Sequence, residues 1–408
     1  MLVVVPRVLL VTVQPWFLWL LLSLFAHARR RGPVARPLYT TTRRGPDRAS
    51  ASTVAVVTAP APKVHRLLAP PRPGRHGAWL YALRTTNPPP DRPIAELDGV
   101  TRWLVVTRAA VLPMTLIGGL VAGLLAVRAD GFSAGLWALA TLGIVLAHTS
   151  NNLLNDLADT DVGLDTESYP RALYAPHPFL SGLVTRRQLL GALLIINLAD
   201  LVIMLVLYVQ RGWPVIAFAL VGLFLSYAYT APPLRLKKRG LGEPDVLLTW
   251  GPLMIAGTYF SAVGELPWQV WVASVPYGLL CTTVLMGKHI DKIPYDEPTG
   301  TRTLPVLLGE PRARAFTQGL LISFYVTTVI AVLIGALPWP VLLVALALPT
   351  LRQVLVAFRA GRPEQPPEGF PVWPLWFAAV CFVHVTRAGA ALVVGLAVAA
   401  IFGTGLPL

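Results

Sequence analysis

The stretch "NNLLNDLADTDVGLD", Asn151 to Asp165, sets three asparagines and four aspartates at the end of a long apolar run. Asn155 and Asp159 are four residues apart, so on a continuous helix they share one face. Gly163 allows the backbone to turn, after which Asp165 can point back toward the same place. Oxygen ligands of this kind suit a hard cation such as Mg²⁺, which is commonly bound together with substrate phosphates. Asp156 and Asp161 fall on other faces and are expected to support the ligands or to be solvated. Asn152, three residues before Asn155, either orients a ligand or caps the helix.

A solvated helix end would explain one acidic cluster, but a second follows in "GKHIDKIPYDEPTGTRTLPVLLGE". There Asp291 and Asp296 lie five apart around Pro294, Glu297 is adjacent and Gly300 marks a turn. Two such clusters on one membrane face would hold metal ions between them and clamp a diphosphate. Lys288, Lys292 and Arg302 surround the second cluster and would neutralise phosphate charge, Arg through a bidentate fork and Lys as a point charge. Each also serves as an ordinary basic anchor at a membrane edge. His289 is a base or a metal ligand only if it has a defined partner.

These groups must be positioned by membrane helices. Hydrophobic residues make up 55% of the 408 positions and charged residues 13%, with a mean hydropathy of +0.61, outside the range of soluble domains. Apolar runs long enough for a hydrocarbon core occur near 103–127, 134–155, 189–209, 213–230, 245–263, 268–287, 315–336, 338–351 and 373–402. Helices are expected throughout, because open strands cannot satisfy their backbone in lipid. Cys281 and Cys381 lie inside spans, without redox or metal spacing, and are packing residues.

The net charge of +14 invites a nucleic-acid reading, but its distribution argues against one. The loops after the second, fourth, sixth and eighth runs hold fifteen Lys and Arg, from Arg171 and Arg186 to Arg359 and Arg362, whereas the other loops hold only Arg128 and Arg211. Positive charge stays inside in short loops. Both acidic clusters are therefore expected to face the cytoplasm, in a multi-pass protein of the plasma membrane.

Residues 1–28 are an apolar segment, read as an extra N-terminal span or as a misassigned start. Residues 29–95, rich in Pro, Arg and Ala without periodicity, are read as a disordered basic arm. Residues 96–408 form the remaining domain.

Three stretches carry a resemblance. "NDLADTDVGLD" matches the pattern N-D-x-x-D-x-x-x-G-x-D, "RGLGEPDVLLTWGPLMIAGTYF" lies between the motifs, and "DEPTGTRTLPVLLG" is the second motif. In that order on alternate loops, over roughly residues 100–405, they resemble the UbiA superfamily of intramembrane prenyltransferases, and within it the MenA type that prenylates dihydroxynaphthoate. The resemblance implies an all-α, nine-helix bundle around a central cavity, with Mg²⁺ as cofactor. By position, Asn155, Asp159, Asp165, Asp291 and Asp296 would be the catalytic metal ligands. Lys237, Lys238 and Arg239 lie in the loop expected to cover the diphosphate, and Tyr259 matches a polar aromatic position near the acceptor. Asn152, Arg171, Lys288 and Arg302 complete the expected substrate contacts. The chain departs from the family at "MGKHID", where quinone enzymes carry an Asn-x-Arg-Asp run, and in having one residue more between its two aspartates than D-x-x-x-D.

The implied reaction transfers an isoprenoid chain from an allylic prenyl diphosphate to a small hydrophobic, aromatic or quinone-precursor acceptor in the bilayer. Stabilising the leaving oxygens drives ionisation, and the allylic cation must be shielded from water. Tyr227 and Tyr229 would line its path, or belong to the aromatic belt. A terpene cyclase on the same scaffold, or transfer to a lipid or sugar acceptor, would use the same ionisation. A transporter would place such acids near the bilayer midplane. No nucleic-acid partner is expected.

Overall fold

The computed structural model describes residues 74–403. The expected N-terminal span and most of the expected disordered arm lie outside the described residues. Within the stretch read as the arm, Arg75–Thr85 are helical and form α1. Its Trp79 Nε1 donates to Asp98 Oδ1 at 2.9 Å. Asp98 in turn caps α2 (Gly99–Val106), accepting from the amides of Val100 and Thr101, two donors a helix start leaves free. Burial pushes the Asp98 carboxyl up, but the Thr101 hydroxyl and amide, Trp79 and the Val100 amide outweigh it and hold its pKa at about 2, against 3.8 ordinarily.

The run expected near 103–127 breaks at Arg108, whose φ of 54° is left-handed. A helical turn over Ala109–Val111 then leads into α3 (Pro113–Ala126). The bundle continues with α4 (Ala134–Asp161), the short α5 (Pro170–Tyr174), α6 (Arg186–Arg211) and α7 (Pro214–Thr230). After these come α8 (Gly242–Val263) and α9 (Trp268–Asp296), the short α10 (Leu304–Leu308), α11 (Glu310–Leu333), α12 (Trp339–Ala360) and α13 (Trp376–Phe402). No strand occurs among the described residues.

Among the described residues, seven helices are long and apolar enough to cross a bilayer: the stretch ending in α3, with α6, α8, α9, α11, α12 and α13. The nine expected runs also include α7, which is apolar but only 17 residues long, and α4, whose second half carries His148, Thr149, Ser150, Asn151 and Asn152. These polar residues dilute the hydropathy of α4; His148 Nδ1 bonds Thr115 Oγ1 at 2.7 Å and Asn197 Nδ2 donates to Ser150 Oγ at 2.9 Å. Inward polar pairing of this kind is how a membrane helix tolerates such groups.

α9 is the axis of the bundle. In its most apolar stretch 72% of residues are buried, against 17% for α6, whose face is left to lipid. Small residues let neighbours approach α9 at backbone distance: a Cβ on Gly278 would meet Leu247 O of α8 at 2.7 Å, and one on Gly287 would meet the Phe377 carbonyl of α13 at 2.7 Å. Tyr277, fully buried, donates its hydroxyl to Met114 O of α3 at 2.6 Å. α9 also runs further than expected. The segment "GKHIDKIPYD" is helical to Asp296, straight through Pro294, because packed neighbours compensate a proline inside a membrane helix.

Candidate active site

The C-terminal turns of α4 present Asn155 and Asp159 on one face. Asn155 Oδ1 accepts the Thr230 hydroxyl from the end of α7, and both oxygens of Asp159 accept from Lys237 Nζ, at 2.8 and 3.0 Å. The helix ends at Asp161, and Gly163 (φ 71°) reverses the chain. The amides of Leu164 and Asp165 then both bond back to Asp159 O, at 2.9 and 3.3 Å. Asp165 is thereby folded over the helix end, as its spacing predicts.

Asp165 is buried, and its Oδ2 lies 3.1 Å from His177 Nε2. His177 Nδ1 accepts from the amides of Phe179 and Leu180, which leaves the proton of a neutral ring on Nε2, donated to Asp165. Asp165 Oδ1 is buried without a hydrogen-bond partner.

From the other side, α9 supplies Lys292 and Asp296 on one face. Lys292 Nζ is 3.4 Å from Asp296 Oδ1, and the same oxygen accepts the Tyr169 hydroxyl at 2.6 Å. Asp296 Oδ2 is buried and unpartnered. Tyr169 joins the two halves: burial, and then the carboxylates of Asp296, Asp159 and Asp165 around it, push its phenol well above the ordinary pKa of 10.0. The Lys292 ammonium sits 4.5 Å above the Tyr169 ring.

Lys237 lies on the helical turn Leu236–Arg239, which Arg235 (φ 46°) and Gly240 (φ 73°) bound. Lys238 beside it is half-buried, and burial together with the Lys237 charge pulls its ammonium pKa below the ordinary value. Lys288, one turn before Lys292, lies within electrostatic reach of Arg108, Lys292, Lys237 and Asp159. Tyr229 is buried with the Lys237 ammonium 6.0 Å from its ring centre. Tyr227, two residues earlier on α7, is only partly buried.

Several expected residues stand elsewhere or act differently. Asp291 is turned away from the cluster: its oxygens accept the amides of Phe377 and Ala378 at 3.0 and 2.9 Å, holding the start of α13. On the continuous α9, five residues correspond to about 140° of rotation, so Asp291 and Asp296 cannot share a face. Tyr259 is fully buried near the opposite end of α8, about four turns along the helix from Glu243. Arg239 and Arg302 are exposed, and Arg239 donates to Pro233 O at 3.0 Å. Asn152 donates to Thr107 O at 3.1 Å, tying α4 to the end of α2.

Arg171 and Asp156 form a layer beneath the cluster. Asp156 is fully buried rather than solvated. It accepts from Arg171 Nε at 2.8 Å and Nη2 at 3.1 Å, and from Arg108 Nη2. Arg171 Nη1 also donates to Ala175 O at 3.2 Å, so its guanidinium is committed to this layer. Asp161 is exposed and pairs with Arg186. His289 does have a defined partner, with Nδ1 2.7 Å from Glu243 Oε1 and both groups buried.

Arg108, Thr230, Tyr169, His177 and Glu243 escape the sequence reading. Only Arg108 carries a signal, as a lone charge interrupting an apolar run. Asp156, Asp165 and His177 also bring ligand atoms within 4.8 Å of one another. Two guanidiniums already neutralise Asp156, however, and both His177 nitrogens are engaged. The donors better suited to a hard cation are Asp159, Asp165 and Asp296 with the Asn155 amide oxygen. The unpartnered buried oxygens of Asp165 and Asp296 are what such a site would use.

The UbiA prenyltransferase family profile matches residues 111–378. Over 271 residues the chain is 31% identical to a 2-carboxy-1,4-naphthoquinone phytyltransferase of Synechocystis, covering 64% of this chain and 85% of that one. Over 279 residues it is 25% identical to a 1,4-dihydroxy-2-naphthoate octaprenyltransferase of Haemophilus influenzae, covering 66% and 89%. Among solved structures, the apo structure of a UbiA homolog from Aeropyrum pernix K1 superposes with a TM-score of 0.50 at 16% identity, over 69% of this chain and 97% of that one, a likeness of fold.

Proposed function

Because the chain belongs to the UbiA prenyltransferase family and is therefore a prenyltransferase, we propose that it moves an isoprenoid chain from an allylic prenyl diphosphate to an aromatic quinone precursor, releasing diphosphate within the membrane. The observation that carries this reading is Asp296, bonded by the Tyr169 hydroxyl at 2.6 Å and 3.4 Å from Lys292, with Asp165 and the Lys237-bound Asp159 within electrostatic reach of the same Tyr169 phenol. The naphthoate-type substrates in the names of the two relatives favour a naphthoate acceptor here. The skew of Lys and Arg among the loops supports a plasma-membrane protein with this site on the cytoplasmic side.

Asn155, Asp159, Asp165 and Asp296 would hold Mg²⁺. When bound it would neutralise charge on the diphosphate oxygens as the C–O bond breaks. The chain's own groups do the rest. Lys237 and Lys292 set two buried ammonium groups against the same oxygens, with Lys238 and Lys288 behind them. Tyr169 donates to Asp296 and fixes the orientation of that carboxylate. Thr230 does the same for Asn155, and His177 for Asp165. Because these groups are buried, water is kept from the allylic cation, which the aromatic acceptor then attacks at carbon, losing a ring proton.

The test uses the full chain in lipid nanodiscs with Mg²⁺, labelled geranylgeranyl diphosphate and 1,4-dihydroxy-2-naphthoate. The expected result is prenylated naphthoate and stoichiometric pyrophosphate, with kcat lowered about a hundredfold or more in Asp159→Asn and Asp296→Asn. Wild-type rates in both variants would refute the role given to the cluster. A hydrocarbon formed equally well without naphthoate would instead make the chain a cyclase.

A further inference from the structure

The charges of the site are unevenly placed. α4 and its return turn bring Asp159, Asp165 and the neutral Asn155, whereas α9 brings one carboxylate, Asp296. One turn earlier on the same face stands Lys292, 6% exposed, its Nζ 3.4 Å from Asp296 Oδ1. It lies above the Tyr169 ring and within electrostatic reach of Asp159 and Asp165. Asp291, the other acid of this segment, is bound to the amides of α13. A divalent ion on the α9 side would therefore meet a single carboxylate, already shared with an ammonium and a phenol.

We propose that Lys292 is a built-in cation standing in for one divalent ion: the chain loads a single metal on the Asp159 and Asp165 side, and the Lys292 ammonium holds the diphosphate against α9. The proposal rests on the diphosphate chemistry given above.

The charge balance supports it. Lys237, Lys238, Lys288 and Lys292 with Arg108 and Arg171 carry six positive charges, against four on Asp156, Asp159, Asp165 and Asp296. A prenyl diphosphate brings about three negative charges near neutral pH. One divalent ion then leaves the buried site about one charge from neutral, and two leave it about three away. Uncompensated charge is costly where water is scarce, so a second ion is disfavoured.

The experiment counts ions without relying on turnover. Mn²⁺ is titrated against the full chain in nanodiscs, and the loss of the free-ion electron paramagnetic resonance signal gives the bound number. Wild type should bind one tight Mn²⁺ per chain, Asp159→Asn none, and Lys292→Asp two. In a second arm, pyrophosphate affinity is measured in EDTA. Lys292→Gln should lose about tenfold or more, the loss expected from one charge-assisted hydrogen bond, while keeping its single Mn²⁺ site. Two tight ions in wild type, or unchanged metal-free pyrophosphate affinity in Lys292→Gln, would overturn the role of Lys292 and leave the prenyl-transfer reading standing. No tight ion in wild type would overturn both. Lys292→Gln keeps the inference testable if Lys292→Asp does not fold.

Discussion

Asp156→Ala removes the carboxylate that binds Arg108, at the junction of α2 and α3, to Arg171, at the start of α5. Three charge-assisted hydrogen bonds disappear, each about 1.5–3 kcal/mol by itself. The simple sum overstates the loss, since Arg171 keeps the carbonyls of Ala175 and Pro176 as acceptors. Arg108 has no such relief, because its Nε is already buried without a partner. Breaking a buried ion pair from one side costs about 3–5 kcal/mol, and that is the expected destabilisation. The assay is reversible denaturation in mixed micelles, followed by tryptophan fluorescence. The triple replacement Arg108→Met, Asp156→Leu, Arg171→Met leaves no charge stranded and should recover most of the loss. A cost below about 1 kcal/mol for Asp156→Ala, or a triple variant as unstable as the single, would refute the account of this layer as a buried, mutually dependent set.

Asp291→Asn should destabilise the chain by about 1–3 kcal/mol through the lost hold on α13, yet leave Mn²⁺ binding unchanged; loss of the ion would contradict the placement of Asp291. Gly287→Ala drives a methyl into the Phe377 carbonyl and should cost about 1–3 kcal/mol, read in the same denaturation assay. The Asp98 carboxyl is depressed to about 2 from 3.8, so its capping contribution is fully present above pH 3.8 and fades as pH falls from there toward 2. Protection of the Val100 and Thr101 amides, taken as observed exchange against the intrinsic rate at each pH, should fall through that window in wild type. In Asp98→Ala that protection should be low at every pH, with a cap loss of about 0.5–2 kcal/mol; a flat wild-type protection profile would contradict the reading.

The first acidic group is legible in the sequence because its geometry is local: a four-residue spacing on one helix and a glycine that turns the chain back. The second is less legible, because the apolar run ends near residue 287, whereas α9 continues to Asp296 and turns Asp291 to the amides of α13. Lys292, four residues from Asp296, has the helical spacing that Asp291 lacks. Tyr169, Thr230 and His177 reach the site from loops and from the end of α7, and nothing periodic announces them. The membrane class was plain from hydropathy, but the number of spans was blurred by α4. Its inward polar residues are legible only once their partners Thr115 and Asn197 are seen across the helix interface.

The two return bonds from Leu164 and Asp165 to the carbonyl of Asp159 turn residues 159–165 into a clasp of fixed length, in which one acid anchors the backbone that delivers the other. Drift in the identity of Thr160 or Val162 leaves this clasp intact, because what it fixes is a count of residues. Insertion or deletion of a single residue there would shift Asp165 out of register, so lineages descended from this chain should vary the letters between these aspartates far more freely than their number.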